Sequence, residues 1–172
     1  RRRSAASKDS RASYQHRRQE VSEAAVRVFN RLGYKGASLG AVAAELGVDR
    51  ATIYYYFSSK EQLFDEILRT VLEQNLALTK RIADSNMSAR RKLRELLTAF
   101  MVSYKDNYPL LYIYIREDLS QVSDKRSIWS AEMRRMNKEI EEAVIRMIEQ
   151  GFADGSLRRI GSAKVVAAGL LG

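Results

Sequence analysis

The strongest constraint on the fold of this chain is a pair of short helical patterns at residues 38–46 and 49–57. The apolar face of the first pattern recurs every three or four positions and consists of Leu39, Val42, Ala43 and Leu46. Gly47 permits the left-handed backbone that a tight turn between helices needs, and Ile53 and Phe57 lie four residues apart on the second pattern. The stretch is therefore predicted to form two short helices that pack together across a turn.

Polar residues at the predicted helix ends agree with this prediction. Ser38 and Asp49 occupy N-cap positions, where a side-chain oxygen can accept a hydrogen bond from a free backbone N–H. Ser59 is followed three residues later by Gln62, which is the spacing of a capping box at the start of a further helix. A longer helical pattern spans residues 15–33 and ends at a glycine. The N-terminal third is thus predicted to contain a three-helix bundle.

The remainder of the chain is also predicted to be helical, so the fold class is all-α. One apolar stripe recurs at spacings of three and four and contains Leu93, Leu96, Leu97, Phe100, Met101 and Tyr104. Residues 127–151 alternate spacings of four and three, which is typical of a long packed helix. No stretch shows the alternation of a strand. Residues 162–172 begin a new helix without an end cap, and we expect the natural protein to continue beyond them.

Positive charge is concentrated in the first third of the chain. The 172 residues carry a net charge of +9, and residues 1–60 hold 12 Lys and Arg against 5 Asp and Glu, whereas residues 61–172 hold 18 against 16. A positive field of this kind attracts polyanions such as nucleic acid or an anionic membrane surface. A basic tail that only aids solubility is the alternative. The absence of cysteine excludes disulfides and thiolate-held metals.

The second short helix has an outward face with an unusual composition. With Ile53 and Phe57 turned inward, its outward positions are Arg50, Ala51, Thr52, Tyr54 and Tyr55, with Tyr56 at the border. In a helix-turn-helix, the second helix enters the major groove of DNA. Arginine can donate two hydrogen bonds to guanine, alanine or a tyrosine ring can contact a thymine methyl group, and hydroxyl groups can bond phosphates. A protein interface covered by the tyrosines is the alternative.

Residues 36–68, GASLGAVAAELGVDRATIYYYFSSKEQLFDEIL, resemble the N-terminal DNA-binding domain of the TetR family of bacterial transcriptional repressors. The matching elements are the Leu-Gly-Val turn, the series ATIY, the pair Tyr56-Phe57, and Lys60-Glu61 followed by Leu63. The resemblance implies phosphate contacts by Ser38, Thr52, Tyr54, Tyr56 and Lys60. It implies base contacts by Arg50, Ala51 and Tyr55.

Two further features of the N-terminal region bear on DNA contacts. Gly40 stands where some family members place a base-contacting polar or basic side chain, so base contacts from the first short helix do not carry over. The basic residues at the start of the chain, among them Arg17 and Arg18, are predicted to contact phosphates or the minor groove instead. For Arg1–Arg3 a solvated tail is the alternative.

The predicted organisation has three parts: a disordered basic arm at 1–13, a helix-turn-helix DNA-binding domain at 14–60, and a helical effector-binding and dimerisation domain at 61–172. The family resemblance implies that the C-terminal domain binds a small molecule and dimerises through its last two helices. The residues expected to line the effector cavity are Tyr104, Tyr108, Leu111, Tyr112, Ile115, Arg116, Trp129, Met133 and Met136. For Arg116 the partner is an anionic ligand group or a neighbouring acidic residue.

The sequence predicts a cytoplasmic, homodimeric repressor that binds double-stranded operator DNA and is released by an apolar or amphipathic effector. The segment 108–120 and the tryptophan after it resemble a subgroup that responds to acyl-CoA thioesters from lipid or steroid breakdown. An efflux or drug-responsive repressor is one alternative, and a helical module whose basic arm binds a membrane or a protein is another. We expect no enzyme activity, because the chain has a single histidine, His16, and shows no phosphate-binding glycine loop or metal spacing. No cofactor, metal or membrane partner is expected.

Overall fold

The computed structural model describes the backbone of residues 2–108, 110–112 and 124–171, and the side chains of residues 11–108, 110–112 and 131–171. All regular secondary structure in these ranges is helical, which confirms the predicted all-α class. The helices are α1 (Arg2–Gly36), α2 (Leu39–Leu46), α3 (Arg50–Tyr56), α4 (Lys60–Ala83), α5 (Ala89–Asp106), α6 (Asp124–Ala153) and α7 (Ala163–Leu171). Residues 110–112 are helical as well.

The described residues fall into two compact units. The N-terminal unit contains residues 2–68, 108 and 110–112, and the C-terminal unit contains residues 69–107 and 124–171. Helix α4 contributes residues to both units, through Leu68 to the first and from Arg69 to the second. The predicted domain limit between residues 60 and 61 stays a prediction.

Helix α1 starts earlier than the sequence predicts. Its backbone is helical from Arg2, whereas a disordered arm is expected at residues 1–13. Alanine, arginine and lysine in this stretch are good helix formers, and extending an existing helix adds one hydrogen bond for each residue that is ordered. At Gly33 (φ 69°, ψ 169°) the helical geometry is interrupted, and this is the residue at which the sequence predicts the helix to end.

The N-terminal unit is built around aromatic contacts between α1 and α4. The ring of Phe64 meets those of Phe29 and Tyr34 with centroids 5.7 and 4.8 Å apart, and the rings of Phe29 and Tyr34 are 5.9 Å apart. Around them, the fully buried apolar residues include Ala24, Ala25, Val28, Leu63 and Leu68. Helix α1 packs on α2, and α2 packs on α3. Through α2, helix α3 is thus held against the rest of the N-terminal unit.

The C-terminal unit has a separate apolar core to which α4, α5, α6 and α7 contribute. Its buried members are Ile82, Leu93, Leu96, Val144, Met147, Ile148, Ala163 and Ala167. The ammonium group of Lys92, which is also buried, donates a hydrogen bond of 2.7 Å to the carbonyl of Ala83, the last residue of α4. A cation at this position complements the partial negative charge of a helix C-terminus. Among the described helices, none is long and apolar enough to cross a membrane.

Candidate nucleic-acid interface

Helices α2 and α3 form the predicted helix-turn-helix, and the local hydrogen bonds show why. The Ser38 hydroxyl accepts a hydrogen bond of 3.1 Å from the Ala41 N–H, which caps α2 as expected. Gly47 is left-handed (φ 65°, ψ 33°), and the N–H of Val48 donates to the carbonyl of Ala43 at 3.0 Å. The turn therefore reverses the chain within three residues, at positions 47–49, and delivers it to α3.

Two of the predicted caps differ in detail. Asp49 precedes α3 as expected, but its side chain makes no capping hydrogen bond; the Thr52 N–H donates instead to the main-chain carbonyl of Asp49 at 3.0 Å. The Ser59 hydroxyl accepts from the Gln62 N–H at 3.1 Å, which is one half of the predicted capping box. For the other half, the Gln62 side chain accepts from the N–H and the hydroxyl of Ser58, both at 2.8 Å, rather than from the Ser59 N–H.

The orientation of α3 follows the sequence prediction. Ile53 and Phe57 are fully buried, and they anchor the helix on the N-terminal unit. The side chains on the opposite side are exposed and are those of Arg50, Ala51, Thr52, Tyr54 and Tyr55. Tyr55 is 72% exposed, whereas Tyr56 is half-buried at the border. Helix α3 thus presents a polar and aromatic surface outward.

Tyr14 of α1 supports the tyrosines of α3, and sequence analysis assigns it no function. Its ring centroid lies 5.1 Å from that of Tyr56 and 5.9 Å from that of Tyr55, with an edge-on arrangement toward Tyr55. The rings of Tyr55 and Tyr56 are themselves 5.1 Å apart and nearly perpendicular. Edge-to-face contacts of this kind stabilise ring orientation. No local sequence signal marks this contact, because about forty residues of chain separate the partners.

Arg18 makes several contacts within the N-terminal unit. Its Nε donates to Glu66 Oε1 at 2.7 Å, its Nη2 donates to the other oxygen of Glu66, and its Nη1 donates to the Tyr56 carbonyl at 2.7 Å and to the Tyr14 hydroxyl at 3.3 Å. The guanidinium carbon also lies 4.2 Å from the centre of the Phe57 ring. Hydrogen bonding to Glu66 raises the pKa of Arg18 further above its ordinary value. The donors of Arg18 thus hold the end of α3 on α1 and α4, and its predicted DNA contact stays a prediction.

Two other cations predicted at the interface, Arg17 and Lys60, also make contacts within the protein. Arg17 is exposed and pairs with Glu20 one turn along α1 at 2.9 Å, so its predicted DNA contact stays a prediction. The ammonium group of Lys60 donates to the Tyr34 carbonyl at 2.9 Å and lies 4.5 Å from the centre of the Tyr34 ring. One of its three protons is thus used to hold the start of α4 against α1.

A carboxylate of α2 is clamped by two arginines of α1. Glu45 accepts hydrogen bonds from Arg27 at 3.0 Å and from Arg31 at 2.9 Å. Hydrogen bonding to Arg27 and then to Arg31 lowers the pKa of Glu45 below its ordinary value. The clamp stabilises the packing of α2 on α1 when Glu45 is ionised.

The residues predicted to line an effector cavity are described only in part. In the N-terminal unit, Leu111 is buried and Tyr112 half-buried, and the rings of Tyr108 and Tyr112 have centroids 5.6 Å apart. In the C-terminal unit, Tyr104 is half-buried, and Met133 and Met136 are buried. Ile115, Arg116 and the side chain of Trp129 lie outside the described residues.

Met136 lines a cleft between α4 and α6 within the C-terminal unit. The cleft has a volume of ≈ 300 Å³, and its other lining residues are Glu73, Leu76, Ala77, Lys80, Glu132, Arg135 and Glu139. Lys80 pairs with Glu139 at 2.7 Å, and hydrogen bonding to Lys80 lowers the pKa of Glu139. Five of the eight residues that line this cleft are charged, whereas the residues predicted to line the effector cavity are apolar or aromatic apart from Arg116. Among the side chains that the structure describes, no group of three or more His, Cys, Asp or Glu is placed to hold a metal ion.

Helix α2 is capped by Ser38, the turn to α3 contains the left-handed Gly47, and α3 exposes a polar and aromatic face. These features define a helix-turn-helix DNA-binding protein. Residues 22–67 match the family model described as bacterial regulatory proteins of the tetR family. Residues 22–67 therefore form a DNA-binding domain of the TetR type, and the chain as a whole is similar to TetR-family transcriptional regulators.

Known proteins resemble this chain well beyond the helix-turn-helix. The transcriptional repressor KstR2 of Mycolicibacterium smegmatis is 29% identical over 142 residues, which are 83% of this chain and 68% of that protein. A TetR/AcrR-family regulator from Thermobifida fusca superimposes with a TM-score of 0.72 at 27% identity, covering 91% of this chain and 81% of that one. The ketosteroid transcriptional regulator KstR2 of Mycobacterium tuberculosis shares the fold, with a TM-score of 0.74 at 23% identity over 90% of this chain and 77% of that one. These relatives confirm the prediction of a transcriptional regulator rather than an enzyme.

Proposed function

We propose that this protein is a cytoplasmic, homodimeric repressor that binds operator DNA through α3 and releases it when a lipid-derived effector binds. The exposed face of α3 carries the proposal, because it places arginine, threonine and tyrosine side chains outward from a helix anchored by Ile53 and Phe57. A helix of this kind fits the major groove. The excess of positive charge in residues 1–60 supports attraction to DNA.

The side chains on and around α3 divide into two groups by chemistry. Arg50 is suited to the O6 and N7 atoms of guanine, and Ala51 and Tyr55 to apolar contact with thymine. Hydroxyl and ammonium groups are suited to phosphate oxygens, and those near the interface belong to Ser38, Thr52, Tyr54, Tyr56 and Lys60. Substitutions in the first group are expected to change sequence preference, whereas those in the second are expected to weaken binding to all sites.

Dimerisation is proposed because two copies would place two α3 helices on successive half-sites. Half-sites in such operators are about 34–36 Å apart, which is one turn of DNA. The exposed apolar side chains of Val165 and Leu170 on α7 support the view that this helix takes part in the dimer. An effector that favours a different distance between the two α3 helices would then release the DNA.

An acyl-CoA or a related steroid-derived thioester is the effector that we propose. A relative is described as a ketosteroid regulator, and the buried Met133 and Met136 supply adaptable apolar surface of the kind that such a ligand needs. To change the protein from mostly bound to mostly free, the effector must prefer the released state by roughly 5 kcal/mol. A pocket selective for cationic drugs is the alternative, and the effector assay separates the two.

The DNA-binding part is tested by selecting bound sites from random duplex DNA at two salt concentrations, with wild type, Arg50→Ala and Tyr54→Phe. We expect a palindromic site, relaxed base preference at one position for Arg50→Ala, and uniformly weaker binding for Tyr54→Phe. Binding that is sensitive to salt but blind to sequence would refute the proposal.

The effector part is tested by titrating the complex of protein and selected operator, followed by fluorescence anisotropy of the labelled DNA. A long-chain acyl-CoA should release the operator, whereas free coenzyme A, which lacks the apolar chain, should not. Release by a cationic dye but not by the thioester would favour the drug-responsive alternative.

A further inference from the structure

Gly40 of α2 lies next to the side chain of Arg50 of α3, which is a candidate for base contacts. A Cβ atom placed on Gly40 would lie 3.3 Å from Nε of Arg50, 3.6 Å from Cζ and 3.7 Å from Cδ. The side chain of Arg50, the first residue of α3, therefore passes directly beside position 40, and a side chain there that is longer than a methyl group would compete with it for the same space. Both residues lie at the surface, where Arg50 is exposed and Gly40 half-buried.

The backbone of α2 does not explain why position 40 is a glycine. Gly40 lies inside the regular helix Leu39–Leu46, and its backbone is not in the left-handed region that favours glycine. Glycine weakens a helix relative to alanine or glutamine. What glycine supplies at this position is space, and the side chain that uses the space is that of Arg50.

We propose that Gly40 is a specificity-determining residue, because its missing side chain leaves the surface over the first turn of α2 to the guanidinium of Arg50. On the basis of the proposed DNA binding by α3, positions 40 and 50 together determine the preference for one base pair. Arginine donates in a forked arrangement to guanine. A larger residue at position 40 displaces this fork and changes the base pair that it recognises.

The test is selection of bound sites from random duplex DNA for wild type, Arg50→Ala, Gly40→Gln and the double variant Gly40→Gln/Arg50→Ala. We expect Arg50→Ala to reduce discrimination at one G·C pair of each half-site by roughly 5- to 100-fold. Gly40→Gln should reduce discrimination at the same pair, because the added glutamine side chain takes the space of the guanidinium. In the double variant the two losses should not multiply, since the second substitution acts on a contact that the first has removed.

A matched control and a second variant keep the experiment decisive. Ala44→Gln adds the same side chain one turn further along α2, at an exposed position, and should leave the preference at that pair unchanged. Gly40→Leu adds bulk without hydrogen-bonding groups and should lose the preference without gaining another. Thermal unfolding of each variant confirms folding, and Gly40→Leu carries the test if Gly40→Gln does not fold.

The outcomes separate this inference from the proposed function. If wild type selects no motif, the proposed function fails and this inference fails with it. If wild type selects a motif but Gly40→Gln and Arg50→Ala alter different base pairs, or their losses multiply in the double variant, only the coupling of positions 40 and 50 is refuted. A loss of the same preference in Ala44→Gln would also refute it.

Discussion

Replacing Arg18 by alanine tests whether one arginine holds the outward-facing helix in place. The substitution removes the forked pair with Glu66, the hydrogen bond to the Tyr56 carbonyl and the contact with the Phe57 ring. These interactions join α1 to the end of α3 and the start of α4. We therefore expect Arg18→Ala to destabilise the N-terminal unit and to weaken binding to every DNA site by a similar factor.

The expected loss follows from the exposure of the two side chains. Hydrogen bonds to charged groups contribute about 1.5–3 kcal/mol, but the side chains of Arg18 and Glu66 are 19% and 35% exposed, so solvent reduces the contribution of this pair. The contact of the cation with the ring adds about 0.5–2 kcal/mol. Arg18→Ala should thus lower the free energy of unfolding by about 2–4 kcal/mol. Arg18→Lys should recover only part of this, because an ammonium group cannot form the fork.

The neighbouring arginine supplies the matched control. Arg17 is 66% exposed, and the partner of its guanidinium among the described residues is Glu20, three residues further along, so Arg17→Ala should lower the free energy of unfolding by about 0.5 kcal/mol or less. Urea titration of the full chain, followed by the helical circular dichroism signal, measures both variants. If Arg18→Ala and Arg17→Ala change the free energy of unfolding equally, the interactions of Arg18 do not hold α3 as argued.

Two other substitutions test the packing of α2. Ser38→Ala removes the side-chain cap of this helix and should lower the free energy of unfolding by about 1 kcal/mol; an unchanged urea midpoint would argue against the cap. Glu45→Gln tests a pH dependence, because hydrogen bonding to Arg27 and to a second arginine of α1 lowers the pKa of Glu45. The ion pairs therefore stabilise the fold fully above the ordinary glutamate pKa of about 4.3. This stabilisation is lost as the pH falls through the lower pKa of the folded state. Wild type should therefore have the higher urea midpoint near about pH 6, and its advantage over Glu45→Gln should shrink as the pH falls below about 4. A difference that stays constant with pH would show that ionisation of Glu45 is not its source.

Local rules were sufficient to predict the helix-turn-helix. The burial of Ile53 and Phe57, the cap at Ser38 and the left-handed Gly47 each depend on residues within about one helical turn. Because the direction of a helical side chain is determined by its position along the helix, burial of Ile53 and Phe57 also determines which residues of α3 face outward. The DNA-binding class follows from the same segment, since the resemblance to the TetR family lies within it.

Helical spacing was insufficient to predict which apolar residues of α5 are buried and which are exposed. Met101 continues the apolar stripe of Leu93 and Leu96 on α5, yet it is 67% exposed while they are buried. The spacing predicts that these residues share a broad face of the helix. How much of this face is buried depends on the helices that pack against it. On α5 the core contacts Leu93, Leu96 and Phe100, whereas Met101 lies outside the covered part of the helix.

The contacts of the two adjacent arginines could not be predicted from local sequence rules. In the sequence, Arg17 and Arg18 are equivalent members of a basic stretch, and both are predicted to contact DNA. In the folded protein, their side chains point about 100° apart around α1, so Arg17 remains at the surface while Arg18 meets Glu66, which is 48 residues further along the chain. Helix periodicity determines the angle between the two side chains, but the partner of each depends on which helix packs against that side of α1, and long-range packing alone determines this.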